Sequence, residues 1–197
     1  MNLHSLRALV IFSREGDRFT HRIVQRQESL DEAVGLCGVL GTSLEDWPLD
    51  PPIQQLVLEQ IGSPPRTVAL GVGLSGSGHW SLAAETIRGD VGRQDAQILA
   101  DSIPQDRGIQ MDWACRIHHP AERLGSSYKA YGPMNRIARA WTSQRAEWLL
   151  PNDARFVLNV AEGRIVWDEH ESIVSIVPVS DIRYAGTHTW RYCLAVV

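Results

Sequence analysis

Residues Gly71–Trp80 read GVGLSGSGHW. The stretch contains Gly71-x-Gly73-x-x-Gly76, the spacing of a dinucleotide-binding fingerprint, and it follows the apolar run Thr67-Val68-Ala69-Leu70. Such a fingerprint needs its glycines to open a helix, with a further strand and a ribose-binding acid about 20 residues on. Here Trp80, Leu82 and Ala84 instead alternate with His79, Ser81, Ala83 and Glu85, which is the period of a strand. Before the glycines, Val68, Leu70, Val72 and Leu74 alternate in the same way. Two strands around Ser75-Gly76-Ser77-Gly78 predict a hairpin. The small face formed by Ala69, Gly71 and Gly73 then predicts close approach of another element, and a packed helix is the expected one.

Outward from this hairpin, the N-terminal pattern predicts a second one. Leu6, Ala8, Val10 and Phe12 alternate, Arg14-Glu15-Gly16-Asp17 turns, and Phe19, His21 and Ile23 return. GIQMDWACRIHHP, ending at Pro120, is a clear strand, and Tyr128 to Tyr131 belongs to another. Phe156 to Val160 and Ile165 to Trp167 predict a hairpin through Glu162-Gly163. Ile173 to Val179 is apolar on both faces, as expected of a central strand, and Thr189 to Val197 closes the chain as a strand.

Helices are expected between these strands. Ser29 and Glu32 have capping-box spacing before Leu30, Ala33, Val34, Cys37 and Leu40, with a strand over Val34 to Leu40 as the competing reading. Asp50 and Pro51 suit the start of a helix with Ile53, Leu56, Val57 and Ile61 on one face. A short helix around Gln94 to Asp101 fits the polar segment Asp90 to Arg107, a candidate mobile loop. Pro133 to Leu149 reads as a helix with Met134, Ile137, Ala138, Trp141 and Trp148 on one stripe. The sum is a single globular domain over residues 1–197 of α+β class. It has a mainly antiparallel sheet of several hairpins, with strong curvature or barrel-like closure as one form, and two or three packed helices.

The chain of 197 residues is 44% hydrophobic, enough for a proper core, and carries a formal charge of −4. No apolar run approaches the roughly 18 residues of a membrane span. The N-terminus reads as a strand and not as a signal peptide, so the expected address is the cytoplasm. Cys37, Cys115 and Cys193 are far apart, without a CxxC pair, which favours reduced and mostly buried thiols. Lys129 is the sole lysine. That arginine bias is a bacterial-like composition, although arginine also suits bidentate anion contacts. Gln27 to Pro65 holds only acidic charges, whereas Arg107 to Arg145 is dominated by basic ones. The two segments could pair within the fold, pair across a homo-oligomer, or leave a basic patch for an anionic ligand.

Candidate binding residues follow from these patterns. His79 and Glu85 share one face of a strand but stand too far apart to touch. Asp112, Arg116 and His118 share the polar face of another, with Arg123 beyond it. Backbone N–H groups at Gly125-Ser126-Ser127, with the nearby arginines, could hold a phosphate or carboxylate. Histidines 118 and 119 point to opposite strand faces and cannot chelate together, and no HExxH, HxH or Cys/His spacing appears, so no metal site is assigned. GxSxG is absent, and no catalytic residue or cofactor is assigned. The leading expectation is a soluble binding domain for a small anionic molecule or a protein partner. A hydrolase or metal-assisted enzyme built from His79, Asp112, His118 and Asp168 is the alternative, and a homo-oligomeric structural protein is the third. Neither nucleic acid nor a membrane is an expected partner.

Overall fold

The computed structural model describes residues 2–4, 8–25, 35–38, 51, 53–63, 65–75, 78–86, 108–131, 138–150 and 154–197. Among these residues every regular element is a β-strand. In chain order they are β1 (Asn2–His4), β2 (Ala8–Glu15), β3 (Arg18–Gln25), β4 (Gly35–Gly38), β5 (Gln55–Ile61), β6 (Arg66–Ser75), β7 (Gly78–Thr86) and β8 (Gly108–Ile117). There follow β9 (Ser126–Tyr131), β10 (Ala138–Trp141), β11 (Arg145–Leu149), β12 (Arg155–Glu162), β13 (Arg164–Asp168), β14 (Ile173–Val177) and β15 (Gly186–Val196). They form two antiparallel sheets, of order β1-β2-β3-β4-β9-β14-β13 and β10-β11-β12-β15-β8-β7-β6-β5. The α+β expectation is therefore corrected to an all-β architecture.

The sheets pack face to face, because alternation along each strand gives both of them an apolar side. Ile109, Met111, Trp113, Cys115 and Ile117 of β8 are all buried in the same core as Val10 and Phe12 of β2 and Ile23 of β3. Aromatic groups bridge the layers. Trp113 and Trp190, cross-strand neighbours within the larger sheet, stack on its inner face with ring centroids 5.8 Å apart. The Trp190 indole N–H donates to Ser126 Oγ at 2.9 Å across the sandwich. His21 Nε2 lies 2.8 Å from the Tyr128 hydroxyl, which is hydrogen-bonded to that of Tyr192. Trp113 Nε1–H also donates to Tyr192, at 3.2 Å. These buried polar atoms thus find partners within the core. Burial lowers the His21 pKa to about 4.

The two hairpins read first are present. β2 and β3 pair from Ala8↔Gln25 to Glu15↔Arg18, and β6 and β7 from Val68↔Glu85 to Ser75↔Gly78. Gly71 and Gly73 therefore lie in β6 and Gly78 begins β7, while Gly76 and Ser77 lie outside the described residues. What packs on the small face is the side chain of Ile53, not a helix. A Cβ built on Gly71 would lie 3.0 Å from Ile53 Cγ2 and 3.4 Å from Leu56 Cδ1. Ile53 also bridges to Phe19 of β3, with Phe19 N–H donating to its carbonyl at 2.6 Å.

Each helix expectation that falls on described residues fails for the same reason: a strand partner satisfies the backbone better than a short, marginal helix would. The segment after Asp50 is β5, paired with β6 from Gln55↔Val72 to Ile61↔Arg66. Its Leu56 turns inward, while Val57 and Ile61 of the supposed helical stripe face outward. Of the Pro133 to Leu149 segment, Ala138 to Leu149 form the hairpin β10–β11, in which Thr142 Oγ1 accepts the N–H groups of Gln144 and Arg145, and the residues before Ala138 lie outside the described ones. Ala146, Trp148 and Leu150 are buried at period two. Of Ser29 to Leu40, residues 35–38 form β4, as the competing strand reading has it, and the rest lies outside the described residues. The expected short helix around Gln94 to Asp101 also lies outside them.

One predicted hairpin is really a crossover. β12 pairs with β11 and β15, whereas β13 pairs with β14, so Glu162-Gly163 carries the chain from the larger sheet to the smaller. Gly163 has φ 116, and a Cβ there would lie 2.8 Å from the Val177 carbonyl oxygen. Both facts demand glycine at the crossing. β14, expected to be central, lies between β9 and β13, one strand from the edge. No helix among the described residues is long and apolar enough to cross a membrane.

Candidate functional site

The outward face of the smaller sheet carries a groove of about 990 Å3 over β9, β14 and β13. Its floor is set by register. Ser127 sits opposite Ser175, which sits opposite Val166; Lys129 sits opposite Ile173, which sits opposite Asp168; Arg164 sits opposite Val177. Two loops wall it, residues 122–125 before β9 and 178–182 after β14. The double-sided apolarity of Ile173–Val177 has its explanation here. Val174 and Ile176 fill the core, while Ile173 and Val177 line the groove.

The groove mixes charge and apolar surface. Arg123, Lys129 and Arg164 line it and have no ion-pair partner among the described residues. The Ser127 and Ser175 hydroxyls lie 2.8 Å apart on its floor. Four acids also border it, Glu122, Asp168, Glu171 and Asp181. Two of these are already engaged. Asp168 Oδ1 accepts the N–H groups of His170 and Glu171. Arg183 Nη2–H donates to Asp181 Oδ2 at 2.7 Å, and the hydrogen bonds from Arg183 hold the Asp181 pKa down at about 2. Val166 and Val179 are exposed apolar side chains at its border.

The walls are fixed by specific contacts. Ala121 N–H donates to the Ile182 carbonyl at 2.9 Å, tying the two loops together. His188, buried beneath, has Nδ1 2.7 Å from Ser180 Oγ and Nε2 3.2 Å from the Tyr184 carbonyl. A carbonyl only accepts, so Nε2 carries the proton of the bond to Tyr184. At Gly125 φ is +156, and a Cβ there would lie 2.3 Å from the Ile176 carbonyl oxygen.

The residues singled out from the sequence divide between the two sheets. Arg123 and Ser127 meet in the groove. Ser126 does not, since it points into the core and receives the Trp190 N–H. Both serines lie in the extended strand β9, opposite Ile176 and Ser175 of β14, so their backbone groups belong to a strand ladder and not to an anion cradle. His79, Glu85, Asp112, Arg116 and His118 share the outward face of the larger sheet, with His79 directly opposite Arg116. Glu85 is held by Arg66 at 2.8 Å, six residues from His79 along the strand, or roughly 20 Å. Asp112 is hydrogen-bonded to Arg191 and accepts from Gln110 Nε2–H at 2.7 Å. His79 and His118 do come together, with ring centroids 5.9 Å apart. Asp168 lies on the other sheet, so the set His79, Asp112, His118 and Asp168 is not assembled in one place.

Lys129, Arg164 and Ser175 line the groove but are not among the binding residues singled out from the sequence. The only sequence signal of Ser175 and Arg164 is a polar residue within an apolar strand and a basic one just after a turn. Lys129 had a stronger signal as the sole lysine, next to Tyr128. Cys115 and Cys193 are buried, and burial pushes both thiols up, Cys115 to about 12, which keeps them from acting as thiolates. Among the described residues no group of three or more His, Cys, Asp or Glu side chains could hold a metal ion. Comparison with protein-family models, with characterised proteins and with solved structures finds no match for this chain.

Proposed function

We propose that this chain is a binding domain for a small anionic molecule with an apolar body, seated in the groove over β9, β14 and β13. The observation that carries the reading is the set Arg123, Lys129 and Arg164, which lines one concavity without ion-pair partners among the described residues. Elsewhere in the structure basic side chains such as Arg66, Arg145 and Arg191 are neutralised by neighbouring carboxylates. Unneutralised guanidinium groups favour a planar carboxylate or a phosphate, which they can bind bidentately. The flanking valines and Ile173 supply apolar contact, and the paired serine hydroxyls supply orientation.

Isothermal titration against a panel of aliphatic and aromatic carboxylates, sugar phosphates and nucleotides tests the reading. Saturable binding by at least one class is expected, weakened about tenfold or more by Arg123→Ala or Arg164→Ala, since a charge-assisted contact contributes about 1.5 to 3 kcal/mol. No binding across the panel, or binding indifferent to both substitutions, would overturn it.

A further inference from the structure

The most specific convergence outside the groove lies on the opposite side of the molecule. His79 is in β7, and its backbone is held by both β6 (Leu74↔His79) and β8 (His79↔Arg116). His118 immediately follows Ile117, the last residue of β8, which is itself paired with β7 at Gly78 and with β15 at Gly186. Both imidazoles are exposed, and their centroids lie 5.9 Å apart at an interplanar angle of 49°. Neither ring has a hydrogen-bond or carboxylate partner among the described residues.

We infer that His79 and His118 form a two-imidazole chelate for a divalent transition-metal ion of the copper, nickel or zinc type. Metal–nitrogen bonds of about 2.0 to 2.1 Å to two imidazoles put the ring centroids roughly 4.5 to 6.5 Å apart across the usual ligand angles. The observed separation falls inside that window, so modest side-chain rotation aligns the nitrogens without moving either strand. Imidazole is a ligand of intermediate softness that selects these ions over magnesium and calcium. The two protein ligands leave the remaining positions to water, making an open, exchangeable site. Arg116, opposite His79 and exposed, is the charged neighbour on this face and works against a dication. The site therefore binds copper(II) best of the three, as the general affinity order requires. Its distance from alternative ligands is clear from register, since Asp112 is engaged by Arg191 and Glu85 by Arg66.

The test is titration of the metal-free protein with copper(II), nickel(II) and zinc(II) at neutral pH, followed by calorimetry and, for copper, by electron paramagnetic resonance. One equivalent should bind in the order copper over nickel or zinc, with nitrogen hyperfine structure from two imidazoles. His79→Asn and His118→Asn should each weaken binding about a hundredfold, because each turns a chelate into a single ligand. His119→Asn, changing the adjacent exposed histidine, should leave it unchanged. Both site residues are exposed, so the variants keep the fold, which circular dichroism checks. Unchanged affinity in His79→Asn and His118→Asn, or its loss in His119→Asn, would overturn the assignment.

Discussion

The outward faces of the two sheets handle charge in opposite ways. On the larger sheet carboxylates and guanidinium groups match locally. Arg66 pairs with Glu85, Arg191 with Asp112, and Arg145 and Arg155 both with Glu147. Burial tends to raise the Glu147 carboxyl, but the hydrogen bonds from Arg145 and Arg155 outweigh it and hold the group below the ordinary carboxylate range. On the smaller sheet Arg123, Lys129 and Arg164 border a concavity without such partners among the described residues. Matching charges on an exposed face adds little stability. Its effect is to leave that face electrostatically quiet. The difference directs the anion-binding proposal to the unmatched face, even though the acidic and basic segments of the chain were the more visible pattern in the sequence.

The same substitution made on each sheet gives the sharpest contrast. Gly125→Ala, in the wall of the groove, drives a Cβ into the Ile176 carbonyl at a backbone angle unsuited to alanine. It should destabilise the protein by about 3 kcal/mol or more and abolish ligand binding in the groove. Gly71→Ala meets only side-chain atoms, of Ile53 and Leu56, which can give, and should cost about 1 kcal/mol. Urea denaturation of the pair decides this, and equal losses would break the contrast between a backbone-walled and a side-chain-walled position.

The pH response belongs to the smaller sheet's inner face. His21 has a pKa lowered from 6.5 to about 4 by burial. The unfolded chain takes up this proton first as pH falls, so the histidine's contribution is intact above about pH 6.5 and is lost progressively down to about pH 4. The loss should reach roughly 3 kcal/mol at the acidic end. Denaturation midpoints between pH 7 and pH 4 should fall less steeply in His21→Gln than in the wild type. Parallel slopes would refute the role.

The smallest effects test charge matching itself. Arg191→Ala breaks a part-buried pair with Asp112 and should cost about 0.5 to 1 kcal/mol. Arg164→Ala breaks no ion pair and should leave stability within about 0.5 kcal/mol of wild type while weakening ligand binding. If Arg164→Ala is the more destabilising of the two, the groove cation is structural and the comparison of the two faces fails.

Strands whose alternation was strong were legible before the structure. The hairpins at Ala8–Gln25 and Arg66–Thr86, and the strand Gly108–Ile117, are in place because a half-buried strand writes its burial into every second residue. Segments with mixed spacing were misread. Ile53, Leu56, Val57 and Ile61 fit a helical stripe on paper, but β6 offered a continuous ladder and a glycine-sided slot for Ile53. Of the groove residues, Arg123 and Ser127 were singled out from the sequence, whereas Lys129, Arg164 and Ser175 join them only through the pairing of β14 with β9 and β13.

By itself, then, the sequence determined the local periods, the turn at Gly16, the strand alternation on either side of Ser75 and Gly78, and the polar or apolar side of each strong strand. These depend on neighbours within a few residues. Tertiary structure alone decided that Glu162-Gly163 crosses between sheets, that Ile53 fills the space beside Gly71, and that Arg123 and Arg164 share one groove. It also brought His79 to His118. Each of these depends on which strands pair, and pairing is settled by the packing of two whole sheets, a long-range term that no local pattern carries.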